Sequence, residues 1–208
     1  NMVSLFKNSI FIIISSFSLI FSQNYSLSFD GVDDYVQIAD SDELDGMDNL
    51  TVQFWVKFNS YNDYSTGSEG YNILSKSEYG QSSNIDVSYS FYTGMDENRL
   101  SFMVQTNNGQ KGANLFDYED HIILGQWHHV AGTYDGNYAY LYIDGDLKAT
   151  SAQINGSIHE NGFALRFGST IGASWNTYFD GLIDEVSIMT AALSADQIQA
   201  NMNVPLTG

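Results

Sequence analysis

The 208-residue chain contains no cysteine and a single proline. The missing cysteines exclude disulfide bonds, thiolate metal sites and a cysteine nucleophile. With one proline, the turns must depend on glycine, asparagine and aspartate, which also favour tight turns. The 18 glycines supply many such positions, and hydrophobic residues make up 43% of the chain. This composition is sufficient for a full-sized core, and the length suits one large all-β domain.

Basic residues are also scarce: seven lysines and arginines stand against 25 acidic residues, a net charge of -18. This balance excludes nucleic acid as a partner, because phosphates need lysine and arginine to displace their counterions. Anionic membrane surfaces are disfavoured for the same reason. Excess carboxylates keep a protein hydrated and are compatible with calcium ions and neutral glycans. The charge therefore removes candidate partners without identifying one.

A largely apolar run at residues 10–21, interrupted only by serines, follows Lys7 near the N-terminus and ends at the small residue Ser22. This order is typical of a secretory signal peptide. A retained N-terminal anchor is the alternative, although the run is shorter than the ~20 residues of a membrane-spanning helix. We therefore expect a signal peptide at 1–22, a domain at 23–203, and the start of a linker or a truncated tail at 204–208. The expected location is secreted or at the cell surface, without membrane insertion after signal cleavage.

Beyond the signal segment the hydrophobic pattern has a period of two, which is typical of β-strands; the clearest example is 50–58. Asp-Gly pairs at 135–136 and 144–145 predict tight hairpin turns, because both residues accept positive φ. Ser194 and Gln197 form a capping-box pattern that predicts one short helix ending near residue 202. Many short strands with one terminal helix predict an antiparallel sandwich or barrel. Further strand-like runs lie at 71–74, 85–92, 100–106, 127–134, 138–143, 163–167 and 181–189.

Several segments, taken in order, resemble one known family, the laminin-G-like domains of the concanavalin A-like lectin/glucanase superfamily. The segments are SFDGVDDYV at 28–36, LTVQFWVKF at 50–58, GQWHHVAGTYDG at 125–136 with LYIDG at 141–145, and FDGLIDEVSI at 179–188. The resemblance implies an all-β fold, a two-sheet antiparallel jelly-roll sandwich. Many members are accessory domains of larger exported proteins and bind glycans or other proteins. We therefore expect this domain to be part of a longer multidomain chain.

The resemblance also implies a structural calcium ion where the first and last strands lie side by side. It places Asp30 near Asp184, with Asp33 as a further ligand from the adjoining turn. Calcium prefers several oxygen ligands, including carboxylates and main-chain carbonyls from turns. The alternative is that these aspartates only form turns and carry solvated charge.

Exposed aromatic side chains in loops are the candidate ligand-binding residues, because sugar rings stack on them. Trp175 and Tyr178 belong to a polar loop, and Tyr61, Tyr64 and Tyr71 lie in or beside a second long polar loop. If both loops lie on one rim of the sandwich, these side chains form a platform for a glycan. The alternative is that they fold back onto the sandwich.

The remaining tryptophans and a histidine pair lie within predicted strands. We expect Trp55 and Trp127 to belong to the core. His128 and His129 are adjacent and must face opposite sides of a strand, so they cannot chelate one metal ion together. We expect one of them to pack near Trp127 and the other to be partly solvated.

The sequence does not favour catalysis. Glucanases of this superfamily carry a Glu-x-Asp-x-x-Glu or Glu-x-Asp-x-Glu run, and this chain has neither. Retaining hydrolysis requires two carboxylates about 5–5.5 Å apart, whereas the adjacent Asp184 and Glu185 are expected to point to opposite faces. We therefore predict a non-catalytic recognition or adhesion module that binds carbohydrate or a protein surface. The alternatives are a structural spacer domain of a larger cell-surface protein and a glucanase-like glycoside hydrolase.

Overall fold

The computed structural model describes residues 26–61, 70–79, 85–94, 98–172 and 178–204. The predicted signal peptide, Tyr64, Trp175 and residues 205–208 lie outside the described residues. No helix in the described part of the chain is long and apolar enough to cross a membrane.

Twelve strands, one α-helix and a short 3₁₀-helix at Tyr118–Asp120 make up the described fold. The strands and the α-helix are β1 Leu27–Asp30, β2 Val36–Ile38, β3 Leu50–Phe58, β4 Asn72–Tyr79, β5 Ile85–Gly94, β6 Arg99–Thr106, β7 Gly109–Phe116, β8 His128–Tyr134, β9 Ala139–Ile143, β10 Asp146–Thr150, β11 Leu165–Phe167, β12 Asp180–Met189 and α1 Ala195–Met202. The first sheet has the order β1-β12-β3-β8-β9-β10, and the second sheet has the order β2-β11-β4-β5-β6-β7. Neighbouring strands are antiparallel. The predicted two-sheet antiparallel sandwich with a short C-terminal helix is confirmed.

The core lies between the two sheets, and β3 shows why it forms there. Every second side chain of β3, from Leu50 to Phe58, is fully buried, as its alternating sequence predicts. Phe54 meets Phe91 of the second sheet edge to face, with ring centroids 5.0 Å apart. Burial of one such side chain contributes roughly 1.5–3 kcal/mol. The intervening residues Trp55 and Lys57 lie on the outer face of the first sheet and are half-buried.

Both predicted hairpin turns are confirmed. The Asp135 carboxylate accepts the main-chain N–H groups of Asn137 and Tyr138, each at 2.8 Å, between β8 and β9. Between β9 and β10, Asp144 and Gly145 have φ values of 53° and 81°. Such left-handed conformations match the twist of the flanking strands, so the turn sequence fixes the strand pairing locally.

Strand β7 was not predicted from the sequence. It pairs with β6 at the edge of the second sheet, and of its side chains only Ala113 and Leu115 are buried. An edge strand rich in glycine and polar residues carries little hydrophobic alternation. Its formation depends on β6 beside it.

Helix α1 covers part of the outer face of the first sheet. The Ser194 side chain accepts the N–H of Gln197, and the Gln197 side chain accepts the N–H of Ser194, which confirms the predicted capping box. Ile198 packs on Ala131 and Tyr142. The helix therefore shields the part of that face formed by β8 and β9.

A buried lysine joins two loops to the second sheet. The Lys76 side chain is 0% exposed, and its ammonium lies 2.5 Å from Asp40 and 2.8 Å from Asp45. It also donates hydrogen bonds to the carbonyl oxygens of Asn161 and Phe163, at 3.1 and 2.9 Å. All the donor capacity of the ammonium is used, which is the condition for burying a charge.

Candidate binding rim and metal centre

One end of the sandwich collects most of the predicted site residues. At this end β1 and β3 terminate while β4, β8 and β12 begin. We call it the loop rim and define it by residues 30–35, 59–61, 116–127 and 178–179.

Three aspartates of the rim come together. One carboxylate oxygen each from Asp30, Asp33 and Asp34 lies within 4.8 Å of the other two. Asp30 is exposed, and the other two are half-buried. Calcium–oxygen distances of about 2.3–2.6 Å place two ligands of one ion at most about 5 Å apart, so these oxygens fit a shared calcium ion. Asp34 was not selected from the sequence, because three acids in one turn cannot be ranked without its geometry.

The turn that carries these aspartates is folded tightly. Gly31 has a φ of 77°, and a Cβ added there would lie 3.0 Å from the Cβ of Asp180. The N–H of Val32 donates to the Asp30 carboxylate at 2.9 Å, and the N–H of Asp30 donates to Asp34 at 3.3 Å. The glycine lets the backbone approach β12 closely and bend the chain back over Asp30.

The predicted proximity of Asp30 and Asp184 is wrong. Asp30 is paired with Asp180, and Asp184 is paired with Trp55 further along β12. Four residues of strand separate the two positions, about 13 Å. The sequence pattern at 179–188 specifies a strand but not its register, and the register decides which acid lies opposite Asp30. The Asp180 carboxylate instead accepts hydrogen bonds from Asn59 and Ser60.

Two of the predicted platform residues fold back onto the sandwich. The Tyr61 hydroxyl donates to the carbonyl oxygen of Ile122 at 2.7 Å. The Tyr71 ring lies edge to face against Phe179, with centroids 6.2 Å apart. Both side chains are half-buried, so they support the rim more than they face solvent. Tyr178 lies on the same rim and is also half-buried, whereas Tyr64 and Trp175 lie outside the described residues.

Trp127 was predicted to belong to the core and is instead 38% exposed. Strand β8 begins one residue later than predicted, at His128, so Trp127 belongs to the preceding loop. The Lys57 ammonium lies 5.5 Å from the centre of its ring. Trp55, also predicted as core, is half-buried on the outer face of the first sheet.

His128 holds the Trp127 loop in place. Its Nε2 accepts the main-chain N–H of Ile123 at 3.0 Å, so its Nδ1 carries the proton and donates to Asp144 at 2.8 Å. His129 is buried and packs against Trp55 with ring centroids 5.5 Å apart. The expectation that one histidine is partly solvated is therefore wrong, because both sides of β8 are covered here.

Exposed apolar side chains concentrate on the rim. Seven large hydrophobic residues of the described chain are exposed, and five belong to the rim. These five are Val32, Phe116, Ile123, Leu124 and Trp127. We call Asp30, Asp33 and Asp34 the acidic trio. Across the strand ends of the first sheet, the acidic trio at β1 and Trp127 at β8 are three strand spacings apart, about 14 Å. The rim thus combines three clustered carboxylates with an apolar, aromatic surface.

Comparisons with known proteins agree with this fold. The laminin G type profile of the concanavalin A-like lectin/glucanases superfamily matches residues 30–199. Pappalysin-1 of Mus musculus is 31% identical over 113 residues, which are 52% of this chain and 7% of that protein. The chain therefore matches only a small part of its curated relative's length.

Two solved structures with bound sugars are similar in fold. Domain 4 of AbnA, an extracellular arabinanase from Geobacillus stearothermophilus, in complex with arabinotriose, has a TM-score of 0.56 at 19% identity, covering 88% of this chain and 76% of that chain. The ligand-binding domain of botulinum neurotoxin serotype D, in complex with N-acetylneuraminic acid, has a TM-score of 0.59 at 22% identity, covering 85% and 40%. Together with the two six-stranded sheets, the match over residues 30–199 shows that this chain belongs to the laminin-G-like domains of the concanavalin A-like lectin/glucanases superfamily.

Proposed function

We propose that the protein is an exported, non-catalytic recognition module that binds glycans at the loop rim with the help of a calcium ion. The observation that carries this proposal is that the acidic trio and the exposed Trp127 lie at the same end of the strands of the first sheet. A glycan lying along that edge contacts oxygen ligands at one end and an indole ring at the other.

The chemistry of both ends suits a sugar. An aromatic ring packs against the apolar face of a sugar, while neighbouring polar groups bind its hydroxyls. The Lys57 ammonium beside Trp127 supplies hydrogen-bond donors at this end. Two proteins of similar fold hold arabinotriose and N-acetylneuraminic acid, so these sugars are the first probes to use.

Asp30, Asp33 and Asp34 are the residues that would hold the calcium ion. When bound, calcium neutralises the three carboxylates and accepts further oxygen ligands such as sugar hydroxyls. The trio itself organises the turn around Gly31, whose close approach to β12 sets the position of the carboxylates. Asp184 is not among these residues, because its register pairs it with Trp55 further along β12.

The proposed location is outside the cell, within a longer chain. The predicted signal peptide supports export, and the match to a small part of pappalysin-1 supports a multidomain context. A structural spacer is the second candidate, and the observation in its favour is that Tyr61 and Tyr71 fold back onto the sandwich. In that case the rim contacts a neighbouring domain and no glycan.

A glycan array that includes arabino-oligosaccharides and sialosides tests the proposal. We expect selective binding in calcium and reduced binding in EDTA. No binding in either condition would favour the spacer. Release of reducing sugar by the purified protein would revive the glucanase-like alternative.

A further inference from the structure

The segment that carries Trp127 is tied to the sandwich by main-chain hydrogen bonds. We call residues 122–127 the Trp127 loop. The carbonyl oxygen of Ile122 accepts the Tyr61 hydroxyl at 2.7 Å, and the N–H of Gly125 donates to the carbonyl oxygen of Phe58 at 2.8 Å. Tyrosine hydroxyls and carbonyl oxygens keep their hydrogen-bonding roles around neutral pH. These two hydrogen bonds therefore anchor the loop whatever the acidity of the surroundings.

A further hydrogen bond of the Trp127 loop ends on a histidine. The N–H of Ile123 donates to Nε2 of His128 at 3.0 Å, and Nδ1 of the same ring donates to the Asp144 carboxylate at 2.8 Å. A main-chain N–H can only donate, so Nε2 must accept and carries no proton in this arrangement. The hydrogen bond between the loop and His128 therefore exists only for the neutral imidazole.

Protonation of the ring reverses the role of Nε2. In the imidazolium both ring nitrogens are donors, so the Nε2–H group would meet the N–H of Ile123 and neither would have an acceptor. The His128 side chain is only 10% exposed, so water does not readily replace the lost hydrogen bond. The Asp144 carboxylate accepts from Nδ1 in both protonation states and attracts the cation. The ring is thus held on the Asp144 side, and the loss falls on the Trp127 loop.

Histidine is the side chain that ordinarily changes its charge between pH 5 and 8. The other titratable groups on the elements beside His128 are Lys57 of β3, Asp144 and Asp146 of the β9–β10 connection, and Asp117, Glu119, Asp120 and His121 of the rim. Of these, only Asp144 is hydrogen-bonded to the His128 ring within the described chain. Burial lowers the pKa of the adjacent His129 to about 4, so that ring stays neutral in mild acid. His128 is therefore the group through which mild acid reaches the Trp127 loop.

We propose that His128 makes the loop rim acid-sensitive: protonation of Nε2 breaks the hydrogen bond to Ile123, releases the Trp127 loop and lowers the affinity for a glycan. Trp127 directly precedes His128 and is 38% exposed, so displacement of the loop moves the indole ring that contacts the sugar in the proposed function. The effect on binding rests on that proposed function, whereas the release of the loop does not. The protein holds its ligand near neutral pH and lets it go in mildly acidic surroundings.

Release of the loop is tested on the unaltered, 15N-labelled protein without any ligand. NMR spectra recorded from pH 7.5 to 5 follow the ring nitrogens of His128, the amide of Ile123 and the indole N–H of Trp127. We expect all three to change with one shared midpoint. The protection of the Ile123 amide against hydrogen exchange should fall about fivefold or more, as for the loss of one hydrogen bond. A His128 ring that stays neutral at pH 5, or one that titrates without a change at Ile123 and Trp127, would overturn the proposal.

A glutamine variant separates His128 from the other titratable groups. The glutamine amide supplies one acceptor oxygen and N–H donors and does not titrate, so His128→Gln offers Ile123 an acceptor at every pH. At saturating calcium, the dissociation constant of the best array glycan for the unaltered protein should rise about fivefold or more from pH 7.5 to 5.5, and that of His128→Gln should change by less than about twofold. His121→Gln removes an exposed histidine of the same rim, and this matched control should keep the full pH dependence.

The outcomes distinguish this inference from the proposed function. If no glycan binds at any pH, the proposed function fails, and the NMR titration of the unaltered protein still decides whether the loop is acid-sensitive. If His128→Gln loses affinity at pH 5.5 as strongly as the unaltered protein, protonation of the acidic trio with loss of calcium is the cause, and the proposal is wrong. Melting curves at both pH values show whether each variant is folded, and an unfolded His128→Gln leaves the decision to the NMR titration.

Discussion

Replacement of Lys76 by methionine should be among the most destabilising single changes in this domain. Methionine keeps most of the side-chain volume but removes the ammonium that neutralises Asp40 and Asp45. The Asp45 side chain is only 8% exposed, so it would keep a buried charge without a counterion. The Asp40 side chain is 39% exposed and can regain water, so its contribution is discounted.

The magnitude follows from the cost of leaving one buried charge unpaired, about 3–5 kcal/mol in the free energy of unfolding. For a domain of this size each kcal/mol lowers the melting temperature by roughly 2–4 °C, so we expect a decrease of roughly 6–20 °C. Urea unfolding at pH 7 and differential scanning calorimetry measure the two quantities. Adding Asp45→Asn to Lys76→Met should recover about 1 kcal/mol or more, because it removes the unpaired charge.

Lys148 provides the matched control. Its ammonium lies 3.4 Å from Asp146, whose side chain is 67% exposed, so water screens the pair. Lys148→Met should therefore cost at most about 1 kcal/mol. If Lys76→Met costs no more than Lys148→Met, the buried ion pairs do not stabilise the fold as described.

Three further predictions concern titration and calcium. Burial lowers the pKa of His129 to about 4, so the folded protein excludes a proton that the unfolded chain binds below pH 6.5. The free energy of unfolding should therefore fall by roughly 3 kcal/mol between pH 6.5 and 4, and His129→Phe should flatten this part of the curve measured by urea unfolding. The raised pKa of Glu185 has the opposite effect on the pH dependence. The contribution of this carboxyl to the free energy of unfolding is lost as pH rises through its folded pKa. Glu185→Gln should then raise the melting temperature at pH 7 and not at pH 3. A lower melting temperature at pH 7 would contradict the prediction that the ionised Glu185 carboxylate destabilises the fold. Calcium at a hundredfold excess over its dissociation constant should add about 2.7 kcal/mol of stability, and Asp30→Asn should abolish the difference between calcium and EDTA melting curves.

Local features were predictable from the sequence because their causes are local. The alternation in β3, the Asp-Gly turn at Asp144 and the Ser194 capping box each depend on residues a few positions apart. A strand's buried face follows from its own period of two. The family resemblance then supplied the order in which these local elements combine.

Long-range features were not predictable, because they depend on register and on neighbours distant in the sequence. The partner of Asp30 is decided by a register that the motif at 179–188 does not encode. The exposure of Trp127 follows from a one-residue difference in where β8 begins. Lys76 reads as a solvated residue in the sequence, and only the folded loops bring Asp45 and Asn161 to it.

Calorimetric titration of the best array glycan into the protein and into Trp127→Ala tests the proposed rim most directly. Loss of one aromatic contact should weaken binding by about 1–3 kcal/mol with little change in melting temperature, because Trp127 is exposed. Leu147→Ala removes an exposed apolar side chain outside the rim, and this variant should bind the glycan as the unaltered protein does. Unchanged affinity in Trp127→Ala would contradict glycan recognition at the loop rim.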